Sequence, residues 1–286
     1  MSSRRDFILN STKWALGVAT VPYVQGLIKN KRKDMKIGVQ VYSVRDLIND
    51  NFAEAMKQIA DIGYDYIEAY GLGSDGKFLG SMTPLQYQQI IHDLGMEIKS
   101  THTGYFTAEE ANKYLSVAKE MKLQQLVIPY LSEELRGDYY TVAENLNAIG
   151  EKFREEGIRF GYHNHAFEFE LTENGEIPLQ ILIENTDPGN VSFQMDIYWV
   201  KKAGFIPTGL FEKYPGRFTS YHIKDADKNL DQTTVGTGII DFPKIFSKNT
   251  ISGADLFFVE DERTNDPVTN LRNAYQNSSH VMLHDQ

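Results

Sequence analysis

Phe160-Gly161-Tyr162-His163-Asn164-His165-Ala166-Phe167-Glu168-Phe169-Glu170 is an apolar run that ends in imidazoles and carboxylates. Ile158, Phe160 and Tyr162 alternate with Arg159 and Gly161, the period of two that a strand requires. Carried past Tyr162, the same alternation sets His163 and His165 on the face opposite Asn164, where two imidazoles can converge on one ligand. The stretch therefore reads as a strand that ends in a site, and the pattern recurs along the chain.

Working outward, short apolar runs at 36–42, 66–70, 97–102 and 125–129 precede the quoted strand, and runs at 191–195, 219–223 and 256–259 follow it. Helix-length segments separate them. Phe52, Ala55, Met56, Ile59 and Ala60 form the stripe of a first helix that Gly63 closes. Thr83 caps a second helix with Pro84 at its first position, and Thr107-Ala108-Glu109-Glu110 reads as a capping box for a third that runs to Met121. A long helix over 139–156 is stopped by Gly157, and shorter ones are expected at 178–184, 209–214, 242–246 and from Pro267. Eight strand–helix units demand a parallel sheet, and they close most economically into an α/β TIM (β/α)8 barrel of about 250 residues. A doubly wound sheet would declare a glycine-rich turn after its first strand, and Tyr42-Ser43-Val44-Arg45 is not one. The glycine-rich loop over 71–80 likewise lacks the Lys-Ser/Thr ending of a phosphate loop.

The first residues differ in kind from the rest. Ser3-Arg4-Arg5-Asp6-Phe7-Ile8 precedes a mostly apolar segment over 14–28 and a basic run over 29–33, the make-up of a twin-arginine export signal. The apolar part is interrupted by Gly17, Pro22, Gln25 and Gly26 and is too short for a stable membrane span. Residues 1–34 are thus expected to be an export signal or flexible segment and 35–286 one barrel, located in the periplasm; a cytoplasmic chain is the alternative. Of the 29 basic and 39 acidic residues, seven and two fall in 1–34, which leaves 22 against 37 in the body. So acidic a body repels phosphate backbones, which argues against nucleic acid as a partner. Cysteine is absent, so any metal must rest on His, Asp or Glu.

In a barrel of this kind chemistry lies at the C-terminal ends of the strands. Strand one ends with Gln40 and Tyr42, strand two with Glu68, strand three with His102, and strand five with His163 and His165. Asp196 ends strand six, His222 with Lys224-Asp225 strand seven, and Glu260 with Asp261-Glu262-Arg263 strand eight. Core packing has no use for so many titratable groups at one rim. His, Asp and Glu converging without Cys suit a divalent cation: Mn²⁺ or Mg²⁺ where carboxylates dominate, Zn²⁺ or Co²⁺ as imidazoles are added. Lys224 and His102 can polarise substrate oxygens, Glu68 can hold hydroxyls, and Tyr42 and Trp199 offer flat apolar faces to a sugar ring. Arg263 joins these as a candidate substrate contact.

Gly38-Val39-Gln40-Val41-Tyr42-Ser43-Val44-Arg45, Tyr162-His163-Asn164-His165, Phe193-Gln194-Met195-Asp196, Tyr221-His222-Ile223-Lys224-Asp225, Val235-Gly236-Thr237-Gly238 and Phe258-Val259-Glu260 carry a resemblance that covers residues 35 to about 276. The chain resembles the sugar phosphate isomerase/epimerase family, the xylose-isomerase-like barrels related to the AP endonuclease family. Ketose epimerases of that superfamily hold a metal with Glu, Asp, His and Glu from strands five to eight. The resemblance therefore implies Asp196, His222 and Glu260 as ligands of a divalent cation, with Mn²⁺ foremost. His163 stands where the epimerases carry their first Glu, which makes it the fourth ligand or a metal-adjacent group. His165, one layer further out, is placed for substrate contact or proton transfer, oriented by Glu168. A metal that chelates a hydroxyl and an adjacent carbonyl eases formation of an enediolate, and Glu260 and one imidazole are then the proton carriers. The implied activity is isomerisation or epimerisation of a small-molecule keto or aldo sugar; β-elimination shares the intermediate, and a homo-oligomer is compatible with all of this. Two rivals remain. Metal-dependent phosphoester hydrolysis would require a basic groove, and a metal-free sugar-binding barrel would keep the cavity without the chemistry.

Overall fold

A computed structural model of the protein describes residues 36–282, with the side chains of 279–281 excepted; the expected leader over 1–34 lies outside the described residues. The eight apolar runs are strands: β1 (Gly38–Gln40), β2 (Tyr66–Leu72), β3 (Glu97–Thr103), β4 (Gln125–Ile128), β5 (Arg159–His163), β6 (Ser192–Asp196), β7 (Phe218–Ile223) and β8 (Leu256–Val259). Each pairs in parallel with its sequence neighbours, and β8 returns to β1, so the sheet is closed. Closure leaves no strand edge with unpaired backbone groups, and with helices between the strands this is the TIM α/β fold.

Local chemistry sets most of the helix boundaries. Thr83 and Gln86 make both halves of a capping box at the start of Pro84–Asp93. Gly63 ends the helix Arg45–Ile62 at φ 113°, a conformation that costs a residue without Cβ little. That helix is kinked at Asn51, whose Oδ1 accepts from Glu54 N at 3.1 Å and caps its second part. Two boundaries differ from expectation. The third helix begins at Ala111, not Thr107: Glu110 Oε2 accepts from both the backbone N and the hydroxyl of Thr107, so the threonine oxygen donates where a capping box needs it to accept. The first strand stops at Gln40 because Gln40 Oε1 accepts from Tyr42 N at 3.0 Å and turns the chain into a short helical turn, Val41–Val44.

Register brings the polar strand ends together. Gln40 lies beside Glu68 and Glu68 beside Ser100, while His163 pairs with Gln194 and Asp196 with His222. At the seam between first and last strands, the ring of Tyr66 crosses Phe258 edge-on, centroids 5.4 Å apart, and its hydroxyl bridges the carbonyl and N–H of Phe257. Gly38 is what admits the ring: a Cβ there would sit 2.2 Å from Tyr66 Cε2. Beyond β7, the buried carboxylate of Asp225 accepts from the backbone N–H groups of Ala226, Gly236, Gly238 and Ile240. The Gly236-Thr237-Gly238 loop is thus folded around a carboxylate of its own chain.

Candidate metal centre and cavity

Glu68 is wholly buried at the centre of the polar network. Its Oε1 accepts from Ser100 Oγ at 2.5 Å and Gln194 Nε2 at 2.8 Å, and its Oε2 from Gln40 Nε2 at 2.8 Å. His222 Nε2 lies 2.5 Å and His102 Nε2 3.1 Å from Oε2. A carboxylate so saturated positions its neighbours and has no free oxygen for a substrate hydroxyl, which corrects the expectation that Glu68 binds sugar. Gln194 links the network further: Oε1 meets His102 Nε2 at 2.7 Å and His163 Nδ1 at 3.0 Å. Each of these ring nitrogens must carry its proton to bond an amide oxygen.

Above this network the strand ends β6, β7 and β8 meet. Asp196, His222 and Glu260 offer donor atoms that all lie within 4.8 Å of one another, and so do His102, His163 and His222. Asp196 divides its carboxylate. Oδ1 caps the helix Ile197–Lys202 by accepting from Trp199 N at 3.1 Å, whereas the buried Oδ2 accepts no hydrogen bond. Lys224 Nζ approaches that oxygen to 2.9 Å without hydrogen-bond alignment, and His163 Nε2 stands 3.7 Å away. With the Nδ1 proton of His163 held by Gln194, its Nε2 carries the lone pair. A buried carboxylate oxygen met only by an ion pair with Lys224, a neutral imidazole nitrogen and two further donors fit a divalent cation in residue type and spacing.

The charges agree with this. His222 is clamped between Glu68 and Glu260, whose Oε2 is 2.6 Å from Nδ1. Burial works against its charge, but the two carboxylates outweigh burial and push its pKa up to about 10. Lys224 Nζ reaches Glu260 Oε2 and Glu262 Oε1, each at 2.7 Å; burial opposes the ammonium, and Asp196, Glu260 and Glu262 hold its pKa well above the usual lysine range. Burial likewise raises Glu260, but Lys224 and His222 bring it well below an ordinary carboxylate, and Glu68 is brought down by His102 and His222 against the same penalty. Asp196 moves the other way, with burial exceeding the pull of Lys224. Burial lowers His163 far below the usual imidazole range, helped by the charge on His222. The carboxylates of Glu68, Asp196, Glu260 and Glu262 outnumber the cations His222 and Lys224, an excess of negative charge that a divalent ion would offset, with His222 giving up a ring proton to ligate it.

His165 touches His163, ring centroids 5.0 Å apart, but its other ring contacts are aromatic. Its ring contacts Tyr130, Phe167 and Trp199 at centroid distances of 5.6, 5.9 and 5.6 Å, and burial, then Lys224, lowers its pKa to about 3. Glu168 does hold it, but by the backbone: Glu168 Oε2 accepts from His165 N at 2.8 Å and Oε1 from the Tyr162 hydroxyl at 2.6 Å. Burial raises the Glu168 carboxyl to about 7.

A cavity of about 500 Å³ opens beside these groups, lined by Tyr42, His102, His163, His165, Trp199 and Glu260 among others. All six were expected at the site. Arg263 is not among the lining residues, and its guanidinium is engaged by Asp261 and Thr234 Oγ1, which corrects its reading as a substrate contact. Sequence reasoning gave no role to Gln194 or Glu262. The signal for Gln194 was a glutamine two residues before Asp196, on the same strand face, in an otherwise apolar run.

Comparison with known proteins places these features. A family model described as xylose isomerase-like TIM barrel matches residues 56–280. The curated inosose dehydratase of Lacticaseibacillus casei is 28% identical over 149 residues, 46% of this chain and 49% of that protein; the chain aligns to about half the length of the curated relatives it matches. Among solved structures, a sugar phosphate isomerase/epimerase from Parabacteroides distasonis is 26% identical, with a TM-score of 0.76 over 93% of this chain and 96% of that one. A protein named IolI, solved with a zinc atom, shares the fold at a TM-score of 0.66 and 15% identity over 87% of this chain and 98% of its own.

Proposed function

The chain belongs to the xylose isomerase-like TIM barrel family, and from that premise we propose that it is a divalent-metal-dependent isomerase or epimerase acting on a keto or aldo sugar through an enediolate. The observation that carries the reading is the convergence of Asp196, His222 and Glu260 within 4.8 Å beside a cavity, with Asp196 Oδ2 lacking a hydrogen bond. These three would hold the cation, Mn²⁺ foremost, with His163 as the fourth donor or its neighbour. When bound, such a cation supplies a Lewis acid that lowers the cost of negative charge on a sugar carbonyl and the adjacent hydroxyl.

The protein's own groups account for the proton. Glu260 Oε1, which takes part in neither the His222 nor the Lys224 contact, removes the hydrogen from the carbon that bears the hydroxyl. The C–H electron pair becomes the C=C bond and the carbonyl oxygen takes the charge. Returning the proton to the former carbonyl carbon completes isomerisation; returning it to the other face of the same carbon completes epimerisation. His165, held neutral by burial, presents one donor and one acceptor and passes protons between sugar oxygens. Lys224, pinned as an ammonium, keeps positive charge beside the growing oxyanion. Incubating metal-loaded protein with keto sugars in D₂O tests the reading: carbon-bound deuterium should appear in recovered sugar, and its absence across aldose- and ketose-derived candidates would overturn it.

A second reading is favoured by one specific observation, the curated relatives named inosose dehydratase. From the same enediolate, loss of the β-hydroxyl as water from a keto-cyclitol, or of the aglycone as its alcohol from a 3-keto-glycoside, with the proton supplied by an imidazole, would make the protein a lyase. Such a product is a conjugated enone with ultraviolet absorbance, which isomerisation does not generate. The export reading of residues 1–34 stands as a proposal, and fractionation of cells for periplasmic protein tests it.

A further inference from the structure

We infer that the cavity takes an unphosphorylated glycoside of two-ring size, with the second ring, sugar or aromatic aglycone, seated on the aromatic wall; the inference rests on the proposed sugar chemistry at the same site. Size is the first argument. About 500 Å³ falls within the roughly 300–1,000 Å³ of cavities that enclose drug-sized ligands, and a single sugar ring would leave much of that space to water. The wall is the second argument. Beyond the imidazoles and Glu260, the cavity is lined by Tyr42, Tyr70, Leu72, Pro129, Tyr130 and Trp199. Tyr130 is 49% exposed and is backed by Arg136, whose guanidinium lies 4.9 Å above its ring and 3.6 Å above Phe167 while donating to Leu131 O. An exposed aromatic held from behind is a stacking platform for the apolar face of a ring.

Charge is the third argument and bears on the phosphate. None of the cavity's lining residues among those described is Lys or Arg, while Glu260 and Glu262 are both present. The nearby cations are engaged: Lys224 by Asp196, Glu260 and Glu262, Arg263 by Asp261, Arg45 by the carbonyls of Tyr42 and Glu262, Arg136 by Leu131 O and the rings of Tyr130 and Phe167, and Lys202 by the Tyr198 hydroxyl. A phosphate dianion is recognised by free guanidinium, ammonium or clustered N–H groups, and the glycine loop over 236–240 has turned its clustered N–H groups on Asp225.

The test is calorimetric binding to the full, Mn²⁺-loaded protein. Probes are the p-nitrophenyl glycosides of glucose, galactose and mannose, the disaccharides cellobiose and lactose, the free sugars, and the sugar 6-phosphates. In at least one sugar series the two-ring compound should bind at least about tenfold tighter than the free sugar, with the 6-phosphate no tighter than the free sugar. Tyr130→Ala should remove most of the two-ring advantage and leave free-sugar affinity unchanged; the aryl and disaccharide arms separate an aromatic aglycone from a second sugar. A 6-phosphate that binds tightest, equal affinity for one and two rings, or no binding of any two-ring compound at millimolar concentration would overturn the inference. Solvent deuterium uptake is scored separately. Binding of a reducing disaccharide without exchange would overturn the proposed reaction and keep the substrate class, the aryl glycosides having no carbonyl to enolise and serving for binding alone, whereas exchange into a phosphorylated keto sugar alone would do the reverse.

Discussion

His163 and His165 stand two residues apart and meet different surroundings. His163 faces Gln194 and Asp196 Oδ2, whereas His165 is wedged among three aromatic rings. His163→Ala should therefore weaken Mn²⁺ binding by at least about tenfold, while His165→Ala keeps the metal and loses turnover. Calorimetric titration of both variants decides it, and equal metal affinity would mean that β5 serves the substrate only. Glu168 offers a test by pH. Its pKa is raised from 4.5 to about 7 in the folded protein, so the stability it lends is fully present below about pH 4.5 and is lost as pH rises through about 7. At 1.36 kcal/mol per unit the loss amounts to about 3 kcal/mol. Glu168→Gln should flatten that part of the profile, so the melting temperatures of variant and parent should diverge between pH 5 and 8; parallel curves would rule the account out.

Within single strands, what the sequence discloses depends on how local the cause is. At β1, Gly38 leaves room for the Tyr66 ring, and Gly38→Ala should cost about 1–3 kcal/mol through overpacking, read as a lower urea midpoint; an unchanged midpoint would show that the ring can move aside. The ends of β6, β7 and β8 were legible because a polar residue following buried apolar ones is a one-dimensional pattern, and Asp196, His222 and Glu260 do come together. Glu68 was misread because its partners come from β1, β3, β6 and β7. Only the register of those strands reveals that both of its oxygens are taken. Arg263 was misread for a nearer reason: Asp261, two residues away, captures the guanidinium, and spacing does not say which of several acids an arginine will choose. The early end of the first strand likewise turns on one side chain, Gln40, folding back on its own chain.

For the molecule as a whole, all eight strands find both neighbours within Gly38–Val259. Nothing before Lys36 is required to complete the sheet, and a chain lacking residues 1–34 should melt within about 2 °C of the full one; a fall of more than about 8 °C would mean that residues 1–34 contribute several kcal/mol. Among the described residues no helix is long and apolar enough to cross a membrane. The clasp around Asp225 has a kinetic consequence. Four backbone N–H groups, from Ala226, Gly236, Gly238 and Ile240, share one buried carboxylate, so no one of them reaches water unless the loop lifts as a unit. Their amide protons should trade for deuterium at one common rate, close to that of the β7 amides and well behind the rest of the loop. Four rates scattered over several orders of magnitude would mean that the loop opens piecemeal; a single rate would make a loop outside the barrel sheet as slow to breathe as the barrel wall beside it.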